Sequence, residues 1–167
     1  MNTKFDYENL KLFYIGKEKI DDQTFAPLVY KNKDLTTHAA IIGMTGSGKT
    51  GLGISLLEEA AIDNIPSIII DPKGDMGNLL LTFPNLEGSD FEPWIEEQDA
   101  INNGVTVKEH AKNTANMWKK GIEGDFQSAQ RIEKLKNAAD FTIYTPGSSA
   151  GVQISILSSF KAPSREV

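Results

Sequence analysis

The segment that most constrains the fold is residues 43–50, which read Gly-Met-Thr-Gly-Ser-Gly-Lys-Thr. It matches in full the pattern G-x-x-x-x-G-K-[ST] of a phosphate-binding loop. In such a loop, glycines such as Gly46 and Gly48 let successive main-chain N–H groups point into one concavity, and the helix that follows adds its positive end. The segment therefore predicts a strand before it, a helix after it and a phosphate chain bound between them.

The polar side chains of this loop have separate expected roles. We expect Lys49 to reach the β- and γ-phosphates of a nucleotide, and the Thr50 hydroxyl to take one position on Mg²⁺. A glycine-rich turn without a nucleotide is the alternative interpretation, and the full match to the pattern argues against it. The predicted nucleotide-binding residues are Gly43, Met44, Thr45, Gly46, Ser47, Gly48, Lys49, Thr50 and Gly51.

The flanking residues fit this arrangement. Residues 39–42 are a short apolar run, typical of a strand that is buried on both faces. Apolar residues recur at helical spacing after the loop, with Glu58 and Glu59 between them, and Asn64-Ile65-Pro66 ends this helix. Residues 67–70 predict a second buried strand, so the strand–helix–strand order predicts a right-handed parallel unit.

The sequence patterns divide the whole chain into two predicted regions. These are a small β-containing lead-in at residues 1–37 and a nucleotide-binding core at residues 38–167. The patterns predict lead-in strands at 12–15 and 26–30, a loop at 82–105, helices from Thr106 to Gly121 and from Asp125 to about Ala138, and strands at 141–144 and 152–157.

Composition limits the class of protein. The chain of 167 residues is 40% hydrophobic and 24% charged, as in soluble globular domains, and its sequence contains no membrane-spanning or signal-peptide pattern. It contains no cysteine, which excludes disulfides and thiolate metal sites and fits a cytoplasmic location. Because its net charge is −6, any contact with DNA must be local or made by parts outside this chain.

A second motif, Asp71-Pro72-Lys73-Gly74-Asp75, follows the second predicted strand. Asp71 is expected at the carboxyl edge of the sheet, where ligands bind in such folds. It is a candidate catalytic residue, as a partner of Lys49 or of a Mg²⁺-bound water. The alternative is a carboxylate that caps the turn before Pro72. For Lys73, a phosphate contact and a solvated loop lysine both remain open.

Two common nucleotide-hydrolysing classes do not fit. Asp71 and Gly74 match the D-x-x-G of GTPases, but only about twenty residues separate Thr50 from Asp71, and no N-K-x-D motif follows. No apolar strand ending in Asp-Glu follows residue 71, so a catalytic base for activating water is not visible. We therefore expect either a fragment or a chain that binds nucleotide without efficient turnover.

The blocks at residues 35–50, 56–60 and 70–75 resemble those of bacterial ATPases of the HerA/FtsK superfamily. Residues 144–151 also resemble a segment found in a branch of long, HerA-like proteins. The resemblance implies an α/β fold with a three-layer RecA-like core and a parallel sheet. It also implies Mg²⁺-dependent ATP hydrolysis, with ATP and Mg²⁺ as ligands, by a homo-hexameric ring that moves double-stranded DNA. Members carry an Asp-Glu strand further downstream and a residue supplied in trans. This chain stops before either is recognisable, which implies an N-terminal fragment.

Three functions compete. The resemblance favours the ATP-binding part of a DNA-translocating or helicase-like motor. The acidic charge slightly favours a nucleotide-gated assembly or secretion module without nucleic acid. A small-molecule kinase would need arginines in a lid over the phosphates, whereas the chain has only Arg131 and Arg165.

Overall fold

The computed structural model describes residues 10–154 of the chain. Within this range it is an α/β structure with one small sheet and several helices. The elements are β1 (Leu12–Lys19), β2 (Phe25–Lys31), α1 (Lys49–Ile62), α2 (Gly88–Phe91), α3 (Glu97–Asn102), α4 (Val107–Gly124) and α5 (Ala129–Ala138), with 3-10 turns at Asn32–Asp34, Met76–Leu80 and Glu92–Trp94.

Strands β1 and β2 include the two predicted lead-in strands at 12–15 and 26–30, and they pair as an antiparallel hairpin. Its register shifts between Tyr14 and Gly16, where Gly16 has a φ of 149°. At the turn, the Asp21 carboxylate accepts hydrogen bonds from the main-chain N–H groups of Gln23 and Thr24. These bonds hold the pKa of Asp21 below its ordinary value, and the bond from Gln23 has the largest effect. The division of the chain into a lead-in and a core stays a prediction.

Helix α1 follows the phosphate loop and packs between β1 and α5. Ala61 and Ile62 contact Leu135 of α5 in a buried apolar cluster that Phe141 borders. The helix begins and ends as predicted, since Asp63 is its C-cap and Asn64 takes a left-handed φ of 58°. A second buried cluster joins α2 to α4 through Phe91, Ala111 and Ala115, with Phe83, Leu86 and Ile95 packed against it.

A buried ion pair also joins α1 to α5. The Arg131 guanidinium donates to the Glu59 carboxylate, and the side chains are only 12% and 6% exposed. Burial raises the pKa of Glu59, because removal from water disfavours the charged carboxylate. At the C-terminal end of α1, Asn32 donates a 2.9 Å hydrogen bond to Asp63. These polar contacts and the apolar cluster hold the C-terminal half of α1.

The predicted parallel sheet is not confirmed. Residues 39–42 and 67–70 are described, yet they are not in strands, and Ile42, Ile68 and Ile70 are 92%, 96% and 89% exposed. Within residues 10–154, parallel pairing is limited to an isolated bridge between Tyr144 and Val152. These runs do not form strands because a strand needs a neighbouring strand as its main-chain hydrogen-bond partner, and an apolar run does not by itself provide that neighbour. Residues 155–157 of the last predicted strand lie outside the described residues.

Three predictions about the helical region need correction. Helices α2 and α3 occupy residues that the sequence predicts as loop. Helix α4 continues past Gly121 to Gly124, because one glycine weakens a helix without ending it. Asp125 is the C-cap of α4, while Ser128 precedes α5. The predicted N-cap is confirmed, since Thr106 Oγ1 accepts the main-chain N–H of Glu109 at 3.2 Å.

None of the helices between residues 10 and 154 combines the length and the apolar character that crossing a lipid bilayer requires.

Candidate functional site

Residues 43–50 form a turned loop that runs directly into α1. Gly46 and Gly48 have φ angles of 80° and 87°, a left-handed conformation that side chains disfavour. The N–H of Ser47 donates to the Met44 carbonyl at 3.2 Å, which closes the turn. Gly48 is the N-cap of α1, and no side chain caps this end. The N–H groups of the first turn, which lack intrahelical partners, are therefore not used by a capping side chain.

The two ends of the loop approach closely at Gly43. A Cβ atom at this position would lie 2.4 Å from Ser47 Oγ and 3.3 Å from Ser47 Cβ, so only glycine fits without a shift. Residues 43–48 are all exposed, as is Gly51 in the first turn of α1. The predicted binding residues are thus contiguous and turned over the start of a helix, and all except the half-buried Lys49 and Thr50 are open to solvent.

Lys49 is folded back over the loop. Its Nζ donates to the main-chain carbonyl of Met44 at 2.6 Å. Both groups are exposed, so this bond can exchange with a contact to another acceptor without leaving a buried group unsatisfied. The geometry places an ammonium group across the loop, where a phosphate oxygen would be a stronger, charged acceptor than the carbonyl.

The second motif lies against the start of α1 through Asp75. Thr50 Oγ1 donates to Asp75 Oδ2 at 3.3 Å, and Lys73 Nζ donates to the same oxygen at 2.5 Å. The hydrogen bond and charge of Lys73 lower the pKa of Asp75, with Thr50 contributing, and Asp75 in turn raises the pKa of Lys73. Both groups are therefore charged at neutral pH.

Asp71 stabilises the turn of its own motif. One of its carboxylate oxygens accepts the main-chain N–H groups of Lys73 and Gly74 at 3.2 and 2.8 Å, and the other accepts that of Met76 at 2.9 Å. This geometry fits the interpretation of Asp71 as a turn-capping carboxylate. The carboxylate that contacts Thr50 is Asp75, which the sequence analysis did not select. The available signal was a second aspartate in the same motif.

The donor atoms around Thr50 fit Mg²⁺ better than a transition metal. Among the described residues, no group of three or more His, Cys, Asp or Glu side chains could hold a metal ion alone. Thr50 and Asp75 instead offer one hydroxyl and one carboxylate. Mg²⁺ usually keeps several waters and takes only one or two protein oxygens together with substrate phosphates. A metal ion here would therefore depend on a bound phosphate chain.

Two other features do not belong to the phosphate loop. Arg131 is buried against Glu59, so it is not available to a lid over phosphates, and Arg165 lies outside the described residues.

An open cavity of about 500 Å³ lies at the turn after Tyr144. It is lined by Gly147, Ser148, Ser149, Gln153 and Ile154, none of which belongs to residues 43–51.

Comparisons with known proteins identify a family for most of the chain. A family model described as the central domain of helicase HerA matches residues 13–143. The type 4 coupling protein DotL of Legionella pneumophila is 44% identical over 55 residues, which are 33% of this chain. The match spans only 7% of the length of DotL. No solved structure matches the chain significantly.

Proposed function

Since this chain belongs to the family of the HerA helicase central domain, we propose that it is the ATP-binding part of a HerA/FtsK-like ATPase. The observation that carries this proposal is the turned loop at residues 43–50, whose two left-handed glycines precede Lys49 and Thr50 at the start of α1. In the complete protein, Mg²⁺-dependent ATP hydrolysis would drive a motor.

In the proposed complex, each part of the loop acts on the phosphate chain. Main-chain N–H groups of residues 43–51 bind phosphate oxygens, assisted by the positive end of α1. Lys49 would exchange the Met44 carbonyl for the β- and γ-phosphates, and the Thr50 hydroxyl would hold Mg²⁺. When bound, Mg²⁺ neutralises phosphate charge and fixes phosphate geometry. Asp71 supports this region by holding the turn beside it.

The complete protein is proposed to be a DNA-translocating or helicase-like motor, assembled as a homo-hexamer on double-stranded DNA. The family description supports this, since it names a helicase. A three-layer RecA-like core with a parallel sheet is part of the proposal. The exposed isoleucines at 42, 68 and 70 support it, because large apolar side chains in apolar runs of this kind are usually covered by neighbouring strands or helices. With a net charge of −6, this chain alone is not the expected DNA-binding surface.

A second candidate is a nucleotide-gated assembly or secretion module that does not use nucleic acid. The observation that favours it is the match to DotL, which is named a type 4 coupling protein. Under this alternative, ATP binding would organise protein partners in the complete protein. A pull-down with the complete protein, with and without ATP, should then recover nucleotide-dependent partners. Failure to recover any would count against this candidate.

Nucleotide binding is tested with Lys49→Ala, measured by isothermal titration of ATP in the presence of Mg²⁺. Loss of the charge-assisted phosphate contact should weaken binding by about 2 kcal/mol or more, a factor of about 30. Lys120→Ala on the exposed surface of α4 is the matched control and should bind like the unchanged chain. An unaltered affinity of Lys49→Ala would contradict the proposed use of the loop.

DNA dependence is tested separately with the complete protein. Its ATP hydrolysis should rise when double-stranded DNA is added, and the protein should retard DNA in an electrophoretic shift assay. A hydrolysis rate that is indifferent to DNA would reject the DNA-translocating function and leave the ATP-binding proposal intact.

A further inference from the structure

One carboxylate oxygen connects the phosphate loop to the second motif. Asp75 Oδ2 accepts the Thr50 hydroxyl at 3.3 Å and the Lys73 ammonium at 2.5 Å. The Asp75 side chain is 29% exposed, whereas that of Lys73 is 78% exposed. The aspartate is therefore held against the protein, and the lysine approaches it from the solvent side.

The main chain that carries Asp75 is shaped by the turn of its own motif. Asp71 accepts three main-chain N–H groups of the turn, and Gly74 has a φ of 78° that reverses the chain just before Asp75. These bonds do not involve the Lys73 side chain, and the Thr50 hydroxyl remains a partner of the Asp75 carboxylate when the ion pair with Lys73 opens. The exposed pair opens readily, because solvent and salt screen exposed ion pairs.

Thr50 is the residue that the loop pattern assigns to Mg²⁺. A carboxylate already in contact with this hydroxyl is well placed to accept hydrogen bonds from the waters that the ion retains. Such partners orient metal ligands and strengthen metal binding without necessarily touching the metal. The Lys73 ammonium donates to the same Asp75 oxygen that those waters would use, so Lys73 and a hydrated Mg²⁺ would compete for it.

We propose that Asp75 is the carboxylate that positions Mg²⁺ in this site, and that Lys73 is a cation that occupies Asp75 until Mg²⁺ and nucleotide bind. This inference rests on the proposed function and deepens it. It assigns the metal-side carboxylate to Asp75, and it gives Asp71 the task of shaping the turn. The competing explanation is that Asp75 only stabilises the start of α1, as acidic residues commonly do at helix N-termini.

The two explanations differ in how nucleotide binding depends on metal. A fluorescent ATP analogue carrying a methylanthraniloyl group would be titrated into the full chain, once with Mg²⁺ and once with EDTA. The ratio of the two dissociation constants is the metal-dependent gain in affinity. We expect Asp75→Asn to lower this gain about tenfold or more. Its affinity in EDTA should be unchanged or higher, because a negative charge near the phosphates is removed.

Two further variants sharpen the test. Asp75→Glu keeps the carboxylate and should restore much of the metal-dependent gain. Lys73→Ala removes the competing cation and should lower the Mg²⁺ concentration at which half of the gain is reached. Lys19→Ala and Asp22→Asn form the matched control, since this exposed lysine–aspartate pair, 2.7 Å apart, joins the end of β1 to the turn that follows it. Both controls should leave the gain unchanged.

The outcomes separate this inference from the function on which it rests. If the unchanged chain binds the analogue but Asp75→Asn keeps the full metal-dependent gain, Asp75 is not the positioning residue. If Lys73→Ala raises the Mg²⁺ requirement, Lys73 is not a displaceable cation. If the unchanged chain does not bind the analogue at all, the proposed function fails and this inference fails with it. Equal loss of affinity with Mg²⁺ and with EDTA would favour the purely structural role.

Discussion

Removing one partner of the buried Glu59–Arg131 pair should destabilise the fold strongly. The variant Arg131→Met replaces the guanidinium with an apolar chain of similar length, while Glu59 stays in place. Because the Glu59 side chain is only 6% exposed, its carboxylate loses this counter-charge where little water can replace it. We therefore expect α5 to hold α1 less firmly.

The expected loss of unfolding free energy follows from the burial of this ion pair. Breaking a buried ion pair by removing one partner costs about 3–5 kcal/mol, whereas an exposed pair contributes about 0–1 kcal/mol. The Lys17–Asp125 pair is the matched control, because it also joins distant parts of the chain but its side chains are 41% and 49% exposed. Lys17→Met should thus cost no more than about 1 kcal/mol. The double variant Glu59→Leu/Arg131→Met should recover most of the loss, since apolar replacement of both partners is often nearly neutral.

The assay is equilibrium unfolding in urea, followed by circular dichroism at pH 9, because burial raises the pKa of Glu59 to about 8 and its carboxylate is charged above that pH. The midpoint and the slope together give the free energy of unfolding of each variant. A double-mutant cycle then isolates the coupling between Glu59 and Arg131. The reasoning would be refuted if Arg131→Met cost no more than Lys17→Met, or if the losses of the two single variants simply added in the double variant.

Three other perturbations test local features. Gly48→Ala forces a side chain into a left-handed conformation at the N-cap of α1; it should cost about 1–2 kcal/mol of stability in urea unfolding and weaken ATP binding in titration calorimetry. Thr106→Ala removes the acceptor that caps α4 and should cost about 1 kcal/mol, with a lower thermal midpoint. Asp71→Ala removes the acceptor of three main-chain N–H groups, so amide hydrogen exchange should speed up at residues 73–76.

Elements that depend on local signals were predicted well from the sequence. The hairpin has turn residues between two apolar runs, and α1 has a glycine at its start and Asn64-Ile65-Pro66 after its end. These signals act within a few residues, so a single sequence contains them. The parallel sheet is different, because its strands must find partners that are distant along the chain. The apolar runs at residues 39–42 and 67–70 indicate apolar surface that needs cover, but they do not specify which segment provides it.

The candidate site likewise combines features that local sequence signals predict with features that depend on how the chain folds. The loop at residues 43–50 follows from its motif, because the residue types and their spacing define its geometry. Which aspartate of the second motif contacts Thr50 depends on how the turn folds, and the left-handed Gly74 brings Asp75 there. Glu59 was placed between the apolar positions of α1. Its burial could not be predicted because Arg131, which balances its charge, lies 72 residues further along the chain.

The burial of α1 changes along its length, and this bears on how nucleotide binding would be transmitted. From Glu59 to Ile62 the helix is buried and tied to α5, whereas its first turn is exposed or half-buried and is bonded to the second motif through Thr50 and Asp75. A segment with few buried contacts opens at lower free-energy cost than a packed one. We therefore expect ATP to rearrange residues 43–48 and the turn at 71–75 while the C-terminal half of α1 stays fixed. The ion pair between Lys73 and Asp75 lies in the part that can move, and the pair between Glu59 and Arg131 lies in the part that cannot.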